Sequence, residues 1–281
     1  MLFENLAENY LKEDAEFLAP LTVETYHWNI RKVLRYAPNL NCEELTTDFI
    51  REYRNHLIEI GNKENTINKA LTVLRLFCKK FHDEGIIEQN PFDKVKIRRV
   101  YTTRGFLTIK ELKQLYFEFI DHGERLNNTE REALRAFLFS CFTGLRFSDL
   151  KSLSQNEIFD YKIRKKTHKT GELVYIPIPA QARLLLTNLD KIEKDKPIFK
   201  IGDNSHFNKS LRSAAKKLGC YKYIHCHLAR HTFATTCITL GIPLPATSKL
   251  LGHRNLDTTL IYAKYVDTFL DKEMAKFNRL R

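Results

Sequence analysis

Apolar positions recur at helical spacing along most of the chain. Residues 3–17, 21–37, 47–60 and 64–84 each combine an apolar stripe with a polar face, and each predicts a helix. Thr46 or Thr47 would cap the third helix. Gly61 and Gly85 would stop the third and fourth, since a helix ends most easily on a residue that tolerates left-handed backbone. On the fourth, Ile67, Leu71, Leu74, Cys78 and Phe81 follow the apolar stripe, while Asn65, Asn68, Lys69, Thr72, Arg75 and Lys79 occupy the polar side. After Asn90-Pro91 the periodicity fades into a basic stretch, DKVKIRRVYTTRGF. The pattern therefore divides the chain into a four-helix domain over 1–92, a linker over 93–107 and a second domain over 108–281.

The second domain opens on Thr108-x-x-Glu111, a capping box that starts a helix running to Asp121. Thr129-x-x-Glu132 repeats the device before a strongly apolar helix over Arg131–Phe142. Alternation over 158–168 and 172–178 predicts two strands joined at Lys169-Thr170-Gly171. Helical spacing then resumes over 179–188, 205–219, 227–240, 243–251 and 255–264. A last amphipathic segment, 266–280, places Val266, Phe269, Leu270, Met274 and Phe277 on one side. The fold class is thus mainly α with a small β-sheet.

Composition narrows the class. A chain of 281 residues is long for one core, and 43% apolar residues with little Gly or Pro indicate a globular protein. No apolar run approaches the roughly 20 residues that span a bilayer, and the N-terminal MLFENLAENYLKEDAEF lacks a signal-peptide layout. A soluble, cytoplasmic protein is expected. The net charge of +12 is uneven: residues 1–100 carry 15 Lys+Arg against 16 Asp+Glu, and the remainder 31 against 18. A basic C-terminal part attracts phosphate backbones, although charge alone fits many other functions. Six cysteines without a C-x-x-C argue against a disulfide framework, and Cys220, His225, Cys226 and His227 lack the spacing of a zinc site, so no metal is expected.

Candidate chemistry concentrates in His227 to Tyr262, which reads HLARHTFATTCITLGIPLPATSKLLGHRNLDTTLIY. It offers a phenol as nucleophile, an arginine for an oxyanion and imidazoles for protons, a set suited to phosphoryl transfer. His253 follows Arg230 by 23 residues and precedes Tyr262 by nine. Upstream stands Thr143-Gly144-Leu145-Arg146-Phe147-Ser148-Asp149-Leu150, and Lys169-Thr170-Gly171 begins eight residues before Pro177. In type, order and spacing these segments resemble the boxes of the tyrosine recombinases, or phage integrase family: T-G-x-R-x-x-E/D-L, a lysine on a β-hairpin, H-x-x-R, L-G-H and a tyrosine. The likeness covers the chain from about Thr108 onward in motifs and the first hundred residues in outline.

That resemblance implies a helical, SAM-like core-binding domain and a catalytic domain closing as a C-shaped clamp on double-stranded DNA. It implies strand exchange through a 3′-phosphotyrosyl intermediate and Holliday junction, without cofactor. Tyr262 would be the nucleophile, with Tyr265 its local rival. Arg146 and Arg230 would hold the nonbridging oxygens, since a planar guanidinium offers paired donors to a growing charge. Asp149 would orient Arg146 or simply pair with it. Lys165, Lys166 and Lys169 all suit general acid catalysis by chemistry, and the family's offset to Pro177 selects Lys169. His227 would take the Tyr262 proton or hold a phosphate oxygen, His253 would donate to the phosphate, and His231 would pack. The polar side of the fourth helix, Asn65, Asn68, Lys69, Thr72, Arg75 and Lys79, would face DNA. The final segment would enter a neighbouring protomer to link a tetramer on paired sites. The length suits the simpler Xer-like or transposon members without an arm-binding domain, located in the cytoplasm at the nucleoid. A type IB topoisomerase-like enzyme and a noncatalytic DNA-binding protein on the same fold are the alternatives.

Overall fold

The computed structural model describes residues 1–98, 105–187 and 189–263. The basic stretch around Arg99 and Arg104, Tyr265 and the amphipathic segment expected over 266–280 lie outside the described residues. The chain divides into two compact units, Met1–Thr102 and Thr103–Arg281. Among the described residues it is mostly helical, with one three-stranded sheet.

The first unit holds α1 (Phe3–Asp14), α2 (Pro20–Tyr36), α3 (Thr47–Glu59) and α4 (Glu64–Asp83). Of the two candidate caps before α3, Thr46 is the one used: its hydroxyl accepts from the Phe49 amide at 3.1 Å. The apolar stripe of α4 is fully buried, and Ala70, Val73 and Phe77 join it, so nearly half the helix surface faces the core. Phe77 and Phe81 meet the Phe3 ring edge-on at 6.3 and 6.0 Å, which fastens α1 to α4.

In the second unit, α5 (Ile109–His122) starts on the expected capping box: Thr108 Oγ1 accepts from the Glu111 amide and Glu111 Oε2 from the Thr108 amide. The next helix, α6 (Asn128–Thr143), starts earlier than the sequence pattern suggested. Its box is Asn127 with Glu130, not Thr129 with Glu132. Both tetrapeptides satisfy the capping rule, and tertiary partners decide between them. Glu130 also accepts from Ser213 and Lys217, each at 2.7 Å, on α9 (Asn204–Lys217), while Glu132 is taken by Arg135. Beyond its cap α6 is buried on nearly every face and forms the centre of this unit's core.

A short helix, α7 (Phe147–Lys151), follows α6, and after it the sheet. The first expected strand is in fact two, β1 (Ile158–Phe159) and β2 (Lys162–Lys166), because Asp160 and Tyr161 both take left-handed backbone and turn the chain. β2 pairs antiparallel with β3 (Leu173–Pro177), Ile163 opposite Ile176 and Lys165 opposite Val174. Then come α8 (Ala180–Arg183), α10 (Cys226–Thr239), α11 (Leu244–Leu251) and α12 (Asp257–Ala263). No described helix is long and apolar enough to cross a membrane. All six cysteines are free thiols, and five of them are buried.

Burial pulls the Glu130 carboxyl upward, but the bonds from Lys217, Ser213 and the Asn127 backbone outweigh it and hold its pKa below the ordinary value. A depressed carboxyl stabilises the fold above its unfolded pKa and loses that contribution as pH falls through the folded one. Glu130→Gln is therefore expected to destabilise the second unit by about 1–3 kcal/mol at pH 7. Calorimetry from pH 7 to pH 3 should show the gap to wild type narrowing as the acid limb is reached.

Candidate active site

Two glycine turns frame the site. Gly144 ends α6 in left-handed backbone, φ 70°, and a Cβ there would lie 2.5 Å from the Phe233 ring. Gly252 ends α11 in the same way, φ 60°, and a Cβ would lie 2.6 Å from Val174 Cγ1 on β3. Conformation and space both demand glycine at each, which is the physical content of T-G-x-R and L-G-H.

The arginines lace these turns together. Arg230, on α10 and only 7% exposed, donates from Nη1 to the Gly144 carbonyl at 2.7 Å and from Nη2 to the Leu251 carbonyl at 2.5 Å. Arg146, at the start of α7, donates from Nη2 to the Gly252 carbonyl at 3.3 Å. Burial pulls both guanidinium pKa values down, that of Arg230 to about 9, with the Arg146 charge adding to the effect. Among the described residues Arg230 forms no ion pair, and the nearest carboxylate oxygen to Arg146, Asp149 Oδ2, is 3.9 Å away. Arg146 Nη1 and Asp149 Oδ2 are both buried without a hydrogen-bond partner among the described residues.

Asp149, 1% exposed, spends its other oxygen on the backbone amide of His168 at 2.8 Å. It therefore ties the turn between β2 and β3 that carries Lys169 to the start of α7. Ser152 Oγ meets His168 Nε2 at 2.9 Å from the same side. From the other side Arg254 binds Glu172 Oε1 at 3.0 Å and the Thr170 carbonyl. Arg254 was not singled out from the sequence, though it directly follows L-G-H. The three lysines now separate: Lys165 is buried with Nζ on both oxygens of Glu157, Lys166 is exposed on β2, and Lys169 is exposed on the turn.

His227, Arg230 and His231 share a face of α10 at helical spacing, with His227 exposed in its first turn. His253 Nδ1 lies 2.7 Å from the hydroxyl of Thr259 on α12. A hydroxyl proton donated to Nδ1 leaves the ring proton on Nε2, the form that serves a phosphate as donor. Tyr262, on α12, is 2% exposed, and its hydroxyl lies 2.9 Å from His231 Nδ1. Negative charge at Tyr262 couples to both guanidiniums. Arg146, Arg230, His231, Gly252 and Tyr262 thus form one cluster, with the Lys169 turn tied to it through Asp149.

The α4 candidates belong to the first unit. Asn65, Lys69, Thr72, Arg75 and Lys79 are exposed and Asn68 is half-buried. Two of them have donors already engaged: Asn68 Nδ2 on the Arg98 carbonyl at 2.8 Å, and Thr72 Oγ1 on the Asn68 carbonyl at 2.7 Å. Among the described residues no three His, Cys, Asp or Glu side chains gather as metal ligands. Cys226 Sγ instead donates to Asn204 Oδ1 at 3.1 Å.

Known proteins resemble this chain over both units. The sequence profile of the phage integrase SAM-like domain matches residues 2–97. The chain is 30% identical over 251 residues to the tyrosine recombinase XerC of Bacillus licheniformis, covering 83% of this chain and 80% of that one. A crystal structure of a lambda integrase dimer bound to a COC′ core site shares the fold with a TM-score of 0.77 at 20% identity, over 93% of this chain and 95% of that one. A lambda integrase tetramer bound to a Holliday junction shares it with a TM-score of 0.74 at 21% identity, over 91% and 78%. The profile of the phage integrase family spans residues 106–268, Arg146 and Tyr262 included, and the chain belongs to that family, the tyrosine recombinases.

Proposed function

We propose that this protein is a site-specific DNA recombinase in which Tyr262 attacks the scissile phosphate and forms a 3′-phosphotyrosyl intermediate. The observation that carries the reading is the Arg230–Arg146 pair, two poorly compensated guanidiniums beside a buried phenol. A guanidinium satisfied only by carbonyls has a field that an anion would complete, and a phosphodiester supplies one. As the phosphorus becomes pentacoordinate its oxygens gain charge, which two preorganised guanidiniums stabilise more than the ground state. Lys169 protonates the leaving 5′ oxygen. His227 and His253 donate to phosphate oxygens, and Asp149 keeps the lysine turn in place.

The partner is double-stranded DNA, and self-association into a tetramer on paired sites accords with the junction-bound relative. The reaction uses no cofactor, since the bond energy is retained in the phosphotyrosine. A DNA-acting enzyme of this kind works in the cytoplasm at the nucleoid. On α4, the exposed Asn65, Lys69, Arg75 and Lys79 approach the duplex, joined by the remaining acceptor of Asn68 and the surface at Thr72.

With nicked duplex bearing its site, the protein should form a covalent adduct whose peptide maps to Tyr262 by mass spectrometry. Tyr262→Phe should yield none, and an adduct at Tyr265 would displace the assignment. Arg146→Lys should lower single-turnover cleavage by about 10²- to 10³-fold with site binding retained, the cost of one lost oxyanion donor. Equal losses of binding and cleavage, measured side by side, would make Arg146 structural.

For α4, Arg75→Ala should flatten preference at one base position by about 1–3 kcal/mol, roughly tenfold or more in a selection on randomised sites. Asn68→Ala should alter preference less, because its amide already serves the Arg98 carbonyl.

A further inference from the structure

The hydroxyl of Tyr262 is buried, and Nδ1 of His231 lies 2.9 Å from it, with the rings 5.6 Å apart and tilted by 46°. His231 is half-buried and directly follows Arg230. The family resemblance implied only a packing role for it. The contact puts a ring nitrogen on the oxygen that loses a proton when the phenol attacks.

We infer that His231 is the catalytic base that removes the Tyr262 proton as the phenol attacks phosphorus. This rests on Tyr262 being the nucleophile. With the ring proton on Nε2, the Nδ1 lone pair accepts the phenolic hydrogen. The Tyr262 O–H bond breaks and its electron pair forms the new O–P bond. The P–O5′ bond then breaks, and the departing oxygen takes a proton from Lys169. Re-ligation reverses every transfer, so His231 returns its proton to Tyr262 as the 5′ hydroxyl displaces it. The imidazolium formed in between stands near Arg146 and Arg230, a repulsive arrangement. The charge appearing on the pentacoordinate phosphate offsets it, which ties proton transfer to attack rather than letting it run ahead. His227, exposed at the start of α10, is left to the phosphate oxygens.

The test uses full-length protein, single-turnover cleavage and two nicked substrates, one with the normal 5′ bridging oxygen and one with sulfur there. Sulfur leaves without an acid, so it rescues defects in leaving-group protonation and not defects in nucleophile deprotonation. His231→Ala and His231→Asn should each form adduct at least about 10²-fold more slowly on both substrates, whereas Lys169→Ala should be slow only on oxygen. Circular dichroism and site binding should match wild type. The asparagine variant is decisive, because its side-chain oxygen can hold the Tyr262 hydroxyl but cannot take the proton. Wild-type rates in His231→Asn, or rescue of either His231 variant by sulfur, would overturn the inference. Persistent adduct in Tyr262→Phe would overturn the nucleophile instead. Inactive Tyr262→Phe with fully active His231 variants would sink the base alone.

Discussion

The site depends on a buried cation held by the wrong kind of partner. Arg230 sits inside the second unit with two carbonyl oxygens as acceptors, and carbonyl dipoles satisfy its hydrogen bonds without neutralising its charge. A carboxylate at those distances would stabilise the protein and quench the site. Asp149 could have filled that role for Arg146, yet it stands 3.9 Å off and spends its best bond on the His168 amide. The fold thus tolerates a local electrostatic cost, visible in the depressed pKa of Arg230, and the same imbalance is what a phosphodiester would relieve.

Such an arrangement works only if the carbonyls cannot drift. The two glycine turns supply that rigidity, since each packs where no Cβ fits and each presents a carbonyl to a guanidinium. Arg146 and Gly252 stand 106 positions apart in sequence, so their bond closes a loop that includes the whole sheet. The lysine turn is fastened to the same frame by Asp149 and Ser152 on one flank and by Arg254 on the other. The two arginines and the Lys169 turn are therefore positioned by one network.

Most helices were legible because their apolar stripes were, as on α4. Spacing also singled out Arg146, Arg230 and Tyr262, which the structure brings together. What escaped were choices between locally equivalent options. Asn127-x-x-Glu130 and Thr129-x-x-Glu132 are equally good boxes, and only Ser213 and Lys217, more than 80 residues away, decide between them. The break between β1 and β2 rests on two non-glycine residues in left-handed backbone, which alternation conceals. Lys165 and Lys169 look alike until Glu157 claims the first. Helical spacing shows which face His231 occupies and not that its Nδ1 meets the Tyr262 hydroxyl across the gap.

The same distinction separates how the two units can change. On α4 the buried face is crowded, so its composition is constrained by packing, while Lys69, Arg75 and Lys79 contribute little to the core and can vary at small cost in stability. In the second unit the important side chains are themselves the mortar: removing Arg230 deprives two turn carbonyls of their donor at once. The exposed face of α4 can therefore drift on a stable scaffold, whereas Arg230 is bound to its identity twice, by the charge it carries and by the turns it holds in place.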